Sequence, residues 1–216
     1  LLREYGLLVP VEPDARLITD AELHAIATDV VRNYTGQLIA EDGTNPALST
    51  VVENLLGLTT SMGNELATAA SVADAATVFL AETDSLPRSN RSKVEYSKVL
   101  AGWRAKQQER AAYLPLVDEL NAELRRRGVI TFGEQMSVAA SLARDHASVG
   151  ASQRSRYRVV MLDEYQDTSH AQRVLLRSLF GGGVDPNLTV TAVGDPMQAI
   201  YGWRGATASN LEAFVE

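Results

Sequence analysis

The stretch Tyr157-Arg158-Val159-Val160-Met161-Leu162-Asp163-Glu164-Tyr165-Gln166-Asp167-Thr168 decides the fold of this chain. Its first half is a branched, apolar run of strand length without polar alternation, the pattern of a strand buried on both faces of a parallel sheet. Two carboxylates follow at once. A helical pattern from Ser169 to Phe180, a Gly181-Gly182-Gly183 break and a second apolar run, Leu188-Thr189-Val190-Thr191-Ala192-Val193, complete a strand-helix-strand unit. Such a unit is half of an α/β nucleotide-binding core. In open sheets of this kind ligands bind beyond the carboxyl ends of the strands, which puts Asp163 and Glu164 where a nucleotide would sit.

Everything before residue 150 reads as helical. Residues 1–19, with three prolines or glycines among mixed apolar residues, read as a connector. At Thr19-Asp20-Ala21-Glu22 a capping-box pattern opens a helix whose Leu23, Ile26, Ala27, Val30, Val31 and Tyr34 share one face, and Gly36 closes it. Further helices are expected over about 47–67 and 71–82, with a loop at Leu86-Pro87-Arg88-Ser89-Asn90. A long amphipathic helix is expected from Val94 to Arg127, bent near Pro115 and capped by Gly128. Another runs from Phe132 to about His146, and a polar link, Ala151 to Ser155, leads into the first strand. The fold class is α/β but mostly α. Two strands are too few for a stable sheet and, without neighbours, leave apolar edges exposed, so 20–150 is expected to be the well-ordered part and 151–216 to be strained, swapped between chains or packed unusually.

Composition narrows the chemistry. The chain has no cysteine, which excludes disulfides and thiolate metal sites. His24, His146 and His170 are scattered rather than spaced as ligands, and Met62, Met136 and Met161 read as core fillers. There is no run of about 18 apolar residues and no signal-peptide pattern at Leu1-Leu2-Arg3-Glu4-Tyr5. The chain therefore reads as cytoplasmic, without a membrane partner, and as cut from something longer. Its net charge of −7 argues against a generic basic nucleic-acid module. Residues 86–128, however, hold 10 basic against 5 acidic side chains, so only this stretch offers charge to a phosphate backbone. Arg88, Arg91, Lys93, Lys98, Arg104, Lys106 and Arg110 cluster there with Tyr96 and Trp103 interleaved. Two readings stay open for it: a solvated helix face, or a DNA contact.

The two strand ends carry the specific signals. After the first, one of Asp163 and Glu164 can hold Mg²⁺, partly through waters, while its neighbour orients and deprotonates an attacking water. A bare Asp-Glu pair after a strand is also a common helix cap, so the weight lies on the whole string. After the second strand comes Val193-Gly194-Asp195-Pro196-Met197-Gln198-Ala199-Ile200-Tyr201-Gly202-Trp203-Arg204-Gly205-Ala206. Here Gly194 permits a tight exit and Gln198 offers an amide to a phosphate or a water. Tyr201, Trp203 and Arg204 gather two π faces and a cation, a set that stacks on bases at about 1–3 kcal/mol each or, alternatively, simply fills a core.

Together, in order and about 30 residues apart, these strings resemble motifs II and III of the superfamily 1 DNA helicases of the UvrD, Rep and PcrA type. The resemblance implies that Asp163 coordinates Mg²⁺, that Glu164 is the general base, and that Gln198 couples the γ-phosphate to domain closure. It implies further that Tyr201 and Trp203 stack on single-stranded DNA and that Arg204 assists the coupling or contacts the backbone. Weaker likenesses extend it: Leu1 to Gly6 is similar to the end of the family's helix after motif Ib. Thr19-Asp20 and Gly128-Val129-Ile130-Thr131-Phe132-Gly133-Glu134 are similar to the two ends of its helical insertion, subdomain 1B, which lies beside the duplex. Residues 1–19 would then be a connector from the RecA-like core, 20–150 the insertion, and 151–216 part of the parallel-sheet RecA-like P-loop NTPase core. ATP and Mg²⁺ would serve the full-length protein and neither would be held by this chain alone. Single-stranded and duplex DNA, the remaining helicase domains and a possible partner subunit are the implied partners.

Two departures matter. No segment matches G-x-x-x-x-G-K-[ST], whose backbone N–H groups and lysine hold phosphates, and Gly181-Gly182-Gly183 lacks the following Lys-Ser or Lys-Thr. The chain alone is therefore expected neither to hydrolyse ATP nor to unwind DNA. Pro196-Met197 departs from the acidic pair of UvrD-type motif III, and Gly-Asp-Pro-x-Gln leans toward the RecB and AddA motors of helicase–nuclease complexes, whereas Tyr201-Gly202-Trp203-Arg204 leans back toward UvrD. A rival of another class is a non-catalytic module that binds DNA or a partner through the helical segment.

Overall fold

Hydrophobic periodicity and caps account for most of the element boundaries in the computed structural model, which describes residues 1–9, 14–38, 45–86, 96–181, 185–202, 206 and 214. In order these are α1 (Leu2–Tyr5), a 3₁₀ turn (Gly6–Leu8), β1 (Arg16–Leu17), α2 (Asp20–Asn33), α3 (Leu48–Asn64), α4 (Ala69–Asp84), α5 (Lys98–Arg126) and β2 (Val129–Ile130). Then follow α6 (Phe132–Asp145), α7 (Ala147–Arg156), β3 (Val159–Leu162), a 3₁₀ turn (Tyr165–Asp167), α8 (His170–Phe180), β4 (Thr189–Ala192) and a 3₁₀ turn (Pro196–Gln198). They form two compact units, one of Asp20–Thr59 with Ala67–Arg126, the other of Leu1–Thr19, Thr60–Leu66 and Arg127–Glu216. Among the described residues no helix is long and apolar enough to cross a membrane.

The first unit is helical. Its centre is α5, where Tyr113, Leu116, Val117, Leu120 and Leu124 recur at three- and four-residue steps and are buried with Ile26, Ala27 and Val30 of α2 and Val51, Val52 and Leu55 of α3. The helix continues through Pro115, which lies on its exposed side. Asn54 Nδ2 donates to Tyr113 Oη at 3.3 Å, tying α3 to α5. Arg104, counted above in the basic cluster, is engaged internally. Its guanidinium donates to the Leu80 carbonyl at 2.9 Å and to the Thr83 hydroxyl, pairs with Asp84 at 3.0 Å, and lies 4.4 Å from the centre of the Tyr96 ring. Its charge thus closes α4 onto α5. Lys98, Lys106 and Arg110 are exposed, whereas Arg88, Arg91 and Lys93 lie outside the described residues.

The second unit holds both sheets. β1 and β2 pair in parallel, Arg16 with Val129 and Leu17 with Ile130, a pairing of two residues per strand that is too short to leave a periodic signal. Its core is Leu142, Ala143, Val149 and Leu179, against which Leu1, Leu2, Tyr5, Val9, Leu175 and Phe180 pack. Residues 1–9 thus pack into this core. The polar link expected at Ala151 to Ser155 is instead inside α7. Its buried Val149, Gly150 and Gln153 are too few to show the apolar stripe, but the helix is fixed by close approach. A Cβ on Gly150 would sit 2.5 Å from the Ser178 carbonyl oxygen of α8, and Arg154 Nη1 donates to the Leu179 carbonyl at 2.7 Å near the C-terminus of α8. By contact, α6 and α7 group with α8 in this second unit.

β3 and β4 pair in parallel over Val159–Leu162 and Thr189–Ala192. The expectation that they are buried on both faces is overturned: Val159, Met161 and Val193 are 66%, 80% and 60% exposed. Along both strands exposed residues alternate with half-buried ones. Met161 is accordingly no core filler, while Met62 is buried.

Gly128, placed as a cap from sequence, adopts φ +62 just after α5 and just before β2. An L side chain in this left-handed region costs about 1–2 kcal/mol. Gly128→Ala is expected to lower unfolding stability by that amount, read as a shift in the urea midpoint at unchanged slope.

Candidate functional site

Because β3 and β4 are adjacent and parallel, both deliver their following loops to one edge of the sheet. The ladder continues past the strands: Val193 N donates to the Leu162 carbonyl at 2.8 Å and Tyr165 N to the Val193 carbonyl at 3.0 Å. This interlocks Asp163-Glu164 with Gly194-Asp195. Both carboxylates of the first pair are exposed. Glu164 holds φ 51, ψ 39, a left-handed conformation uncommon for a residue with a side chain and one that gathers at functional sites. The Asp163 Oδ1 accepts the Glu164 N–H at 2.9 Å and so supports that turn.

Gln166, given no role in the sequence reading, lies between the two loops. It is 1% exposed. Its Nε2 donates to Glu164 Oε2 at 2.6 Å, and its Oε1 accepts the backbone N–H of Asp195 at 3.0 Å. Gly194 makes room for it: a Cβ there would overlap Gln166 Oε1 and lie 3.2 Å from the backbone nitrogens of Tyr165 and Gln166. The tight exit ascribed to Gly194 is thus a matter of space for a neighbouring amide. A buried glutamine is visible from sequence only as a polar residue inside an otherwise chemical string, and its partners come from two loops about 30 residues apart.

Beyond Asp195 the network continues. Asp195 Oδ1 accepts the Met197 N–H at 2.9 Å, and Oδ2 accepts from Gln198 Nε2 at 2.9 Å, so the Gln198 amide lies at the same edge, exposed and held by Asp195. Ile200 N donates to Asp167 Oδ1 at 3.3 Å, a second tie between the loops. Tyr201 is exposed, and its carbonyl accepts the N–H of Ala206, which bridges antiparallel to Ser169. Trp203 and Arg204 lie outside the described residues. Beneath the edge Tyr165 is buried, edge-on to Phe214 with ring centres 5.2 Å apart. Burial pushes its phenol above the usual range, with Arg173 acting weakly the other way. Ser169 and Gln172 form a reciprocal capping box at the start of α8, which anchors the end of the loop.

The donors present fit a cation carried in with phosphates. Mg²⁺ is bound through one or two carboxylates plus waters and phosphate oxygens, and the exposed Asp163-Glu164 pair offers that much. Among the described residues no group of three or more His, Asp or Glu side chains forms a metal cage of its own.

The sequence model of the UvrD/REP helicase N-terminal domain matches residues 11–216. The chain is 36% identical over 107 residues to the ATP-dependent DNA helicase UvrD1 of Mycobacterium tuberculosis, covering 48% of this chain and 14% of that protein. It is 34% identical over 90 residues to DNA helicase II of Escherichia coli, covering 42% and 12% respectively. Against the RecBCD enzyme subunit RecB of Escherichia coli the figures are 37% over 86 residues, covering 39% and 7%. The chain thus spans far less than two thirds of the length of these relatives. With two paired strand ends, an acidic Asp163-Glu164 turn and a family match over nearly its whole length, the chain belongs to the UvrD/REP helicase N-terminal domain family.

Proposed function

We propose that this chain is the carboxylate-bearing part of an ATP-dependent DNA helicase, a cytoplasmic motor of DNA repair or recombination that moves 3′-to-5′ along single strands. The observation that carries the reading is the interlocked edge, where the exposed Asp163-Glu164 turn and the Asp195-Gln198 turn are joined through Gln166. Asp163 would hold Mg²⁺, which supplies charge neutralisation at the phosphates when bound. Glu164 accepts the proton of the water that attacks the γ-phosphorus, and ADP departs as the bridging P–O bond breaks. Gln198 senses the γ-phosphate end of the nucleotide, Tyr201 and Trp203 stack on bases, and Arg204 links the two tasks. The phosphate-gripping loop belongs to another part of the protein. Residues 20–150 are the insertion subdomain beside the duplex, where exposed Lys98, Lys106 and Arg110 face the backbone.

The complete protein is expected to unwind a duplex with a 3′ single-stranded tail when given ATP and Mg²⁺ and to leave a 5′-tailed duplex intact. Unwinding of the 5′-tailed duplex alone contradicts the polarity, and ATP-independent binding without unwinding favours the non-catalytic module. Tyr201→Ala is expected to weaken single-strand binding by about 1–3 kcal/mol, seen as a 5- to 150-fold rise in Kd by fluorescence anisotropy at fixed salt.

A second reading keeps the chemistry and changes the assembly. Asp195-Pro196-Met197-Gln198 and the similarity to RecB favour a motor that works with a partner subunit and a nuclease. A nuclease domain elsewhere in the same protein decides between the branches.

A further inference from the structure

We infer that Gln166 is a positioning residue that holds Glu164 in place for hydrolysis and makes that placement depend on the Gly194-Asp195 turn. The inference rests on the reading of Glu164 as general base given above. Three observations carry it. The Gln166 amide is buried, and both of its ends are engaged, Nε2 on Glu164 Oε2 at 2.6 Å and Oε1 on the Asp195 N–H at 3.0 Å. Glu164 sits in a left-handed turn, so its side chain is aimed by a conformation that needs support from its neighbours. Gly194 leaves no room for a side chain at the point where the Gln166 oxygen meets the second loop.

These contacts form a chain from the carboxylate through Gln166 to Asp195, whose own carboxylate holds Gln198. An amide suits this task, because one end donates to a carboxylate while the other accepts from a backbone N–H. Neither Glu nor Met can do both. A shift of the Asp195 turn therefore pulls on the carboxylate that handles the water, and a displacement of about 1 Å at such a group costs as much as 100-fold in rate.

The test uses the complete protein and two near-isosteric variants. Gln166→Met removes both contacts. Gln166→Glu keeps an oxygen for the Asp195 N–H but sets an oxygen against Glu164 Oε2. Both are expected to lower kcat for DNA-stimulated ATP hydrolysis by about 10- to 100-fold, with KM and fluorescent-nucleotide affinity within about 2-fold of wild type. Hydrogen exchange at the Asp195 backbone amide separates the two contacts without reference to activity: it should accelerate in Gln166→Met and stay slow in Gln166→Glu. Wild-type kcat in both variants, or unchanged Asp195 exchange in Gln166→Met, overturns the inference. So does loss of nucleotide affinity and melting temperature in step with kcat, which marks a merely structural residue. A wild-type protein without ATP hydrolysis sinks the helicase reading, and the inference with it; an active wild type with unimpaired variants sinks the inference alone.

Discussion

Replacing Glu164 with glutamine in the complete protein is expected to lower DNA-stimulated ATP turnover by at least about 100-fold, the range for losing a general base. The change keeps size and hydrogen-bonding reach but removes the group that takes the proton from water. Glu164 is exposed at the end of β3, and a glutamine there still offers an amide oxygen to Gln166 Nε2, so the Gln166 contact with the Asp195 N–H is kept and no buried charge is left over. Binding of a fluorescent, slowly hydrolysed nucleotide should therefore survive. Equal loss of binding and turnover would mean that Glu164 holds the nucleotide rather than the water, and the assigned roles would have to be exchanged between Asp163 and Glu164.

The largest expected effect on stability is at Leu142, fully buried in the core of the α/β unit with Ala143, Val149 and Leu179. Truncation to alanine removes about three methylene equivalents and leaves a cavity between helices that cannot close over it, because α7 and α8 are already in contact at Gly150. Leu142→Ala is expected to cost about 2–5 kcal/mol in urea unfolding. Since α8 begins at the capping box that ends the Asp163-to-Thr168 loop, the same variant should raise hydrogen exchange in that loop. A cost below about 1 kcal/mol, with the loop unaffected, would mean that the cluster is loosely packed and does not support the site.

What was legible in the sequence was what short-range physics fixes. The carboxylates after β3 follow from an apolar run that stops at Asp163. The start of α8 follows from the helical pattern that opens at Ser169, and the turn after α5 from Gly128, read as a cap. What escaped depends on partners distant in sequence. α7 is polar along most of its length and is held by the approach of Gly150 to Ser178. β1 and β2 are two residues each and lie more than 100 residues apart. The exposure of Val159, Met161 and Val193 depends on which layers cover a sheet face, and branched apolar runs read the same whether one face is covered or both. Gln166 belongs to this second class: its string pointed to a carboxylate site, but its two hydrogen bonds exist only because β3 and β4 are neighbours.

The central claim is that this chain supplies the carboxylate side of an ATP site whose phosphate-gripping side lies elsewhere. The direct measurement compares ATP hydrolysis by the 216-residue chain and by the complete protein, each with and without single-stranded DNA. On that claim the chain alone shows no turnover, and the complete protein shows DNA-stimulated turnover that Glu164→Gln removes. Turnover by the chain alone that depends on Glu164, or a complete protein whose turnover ignores both DNA and Glu164, contradicts it.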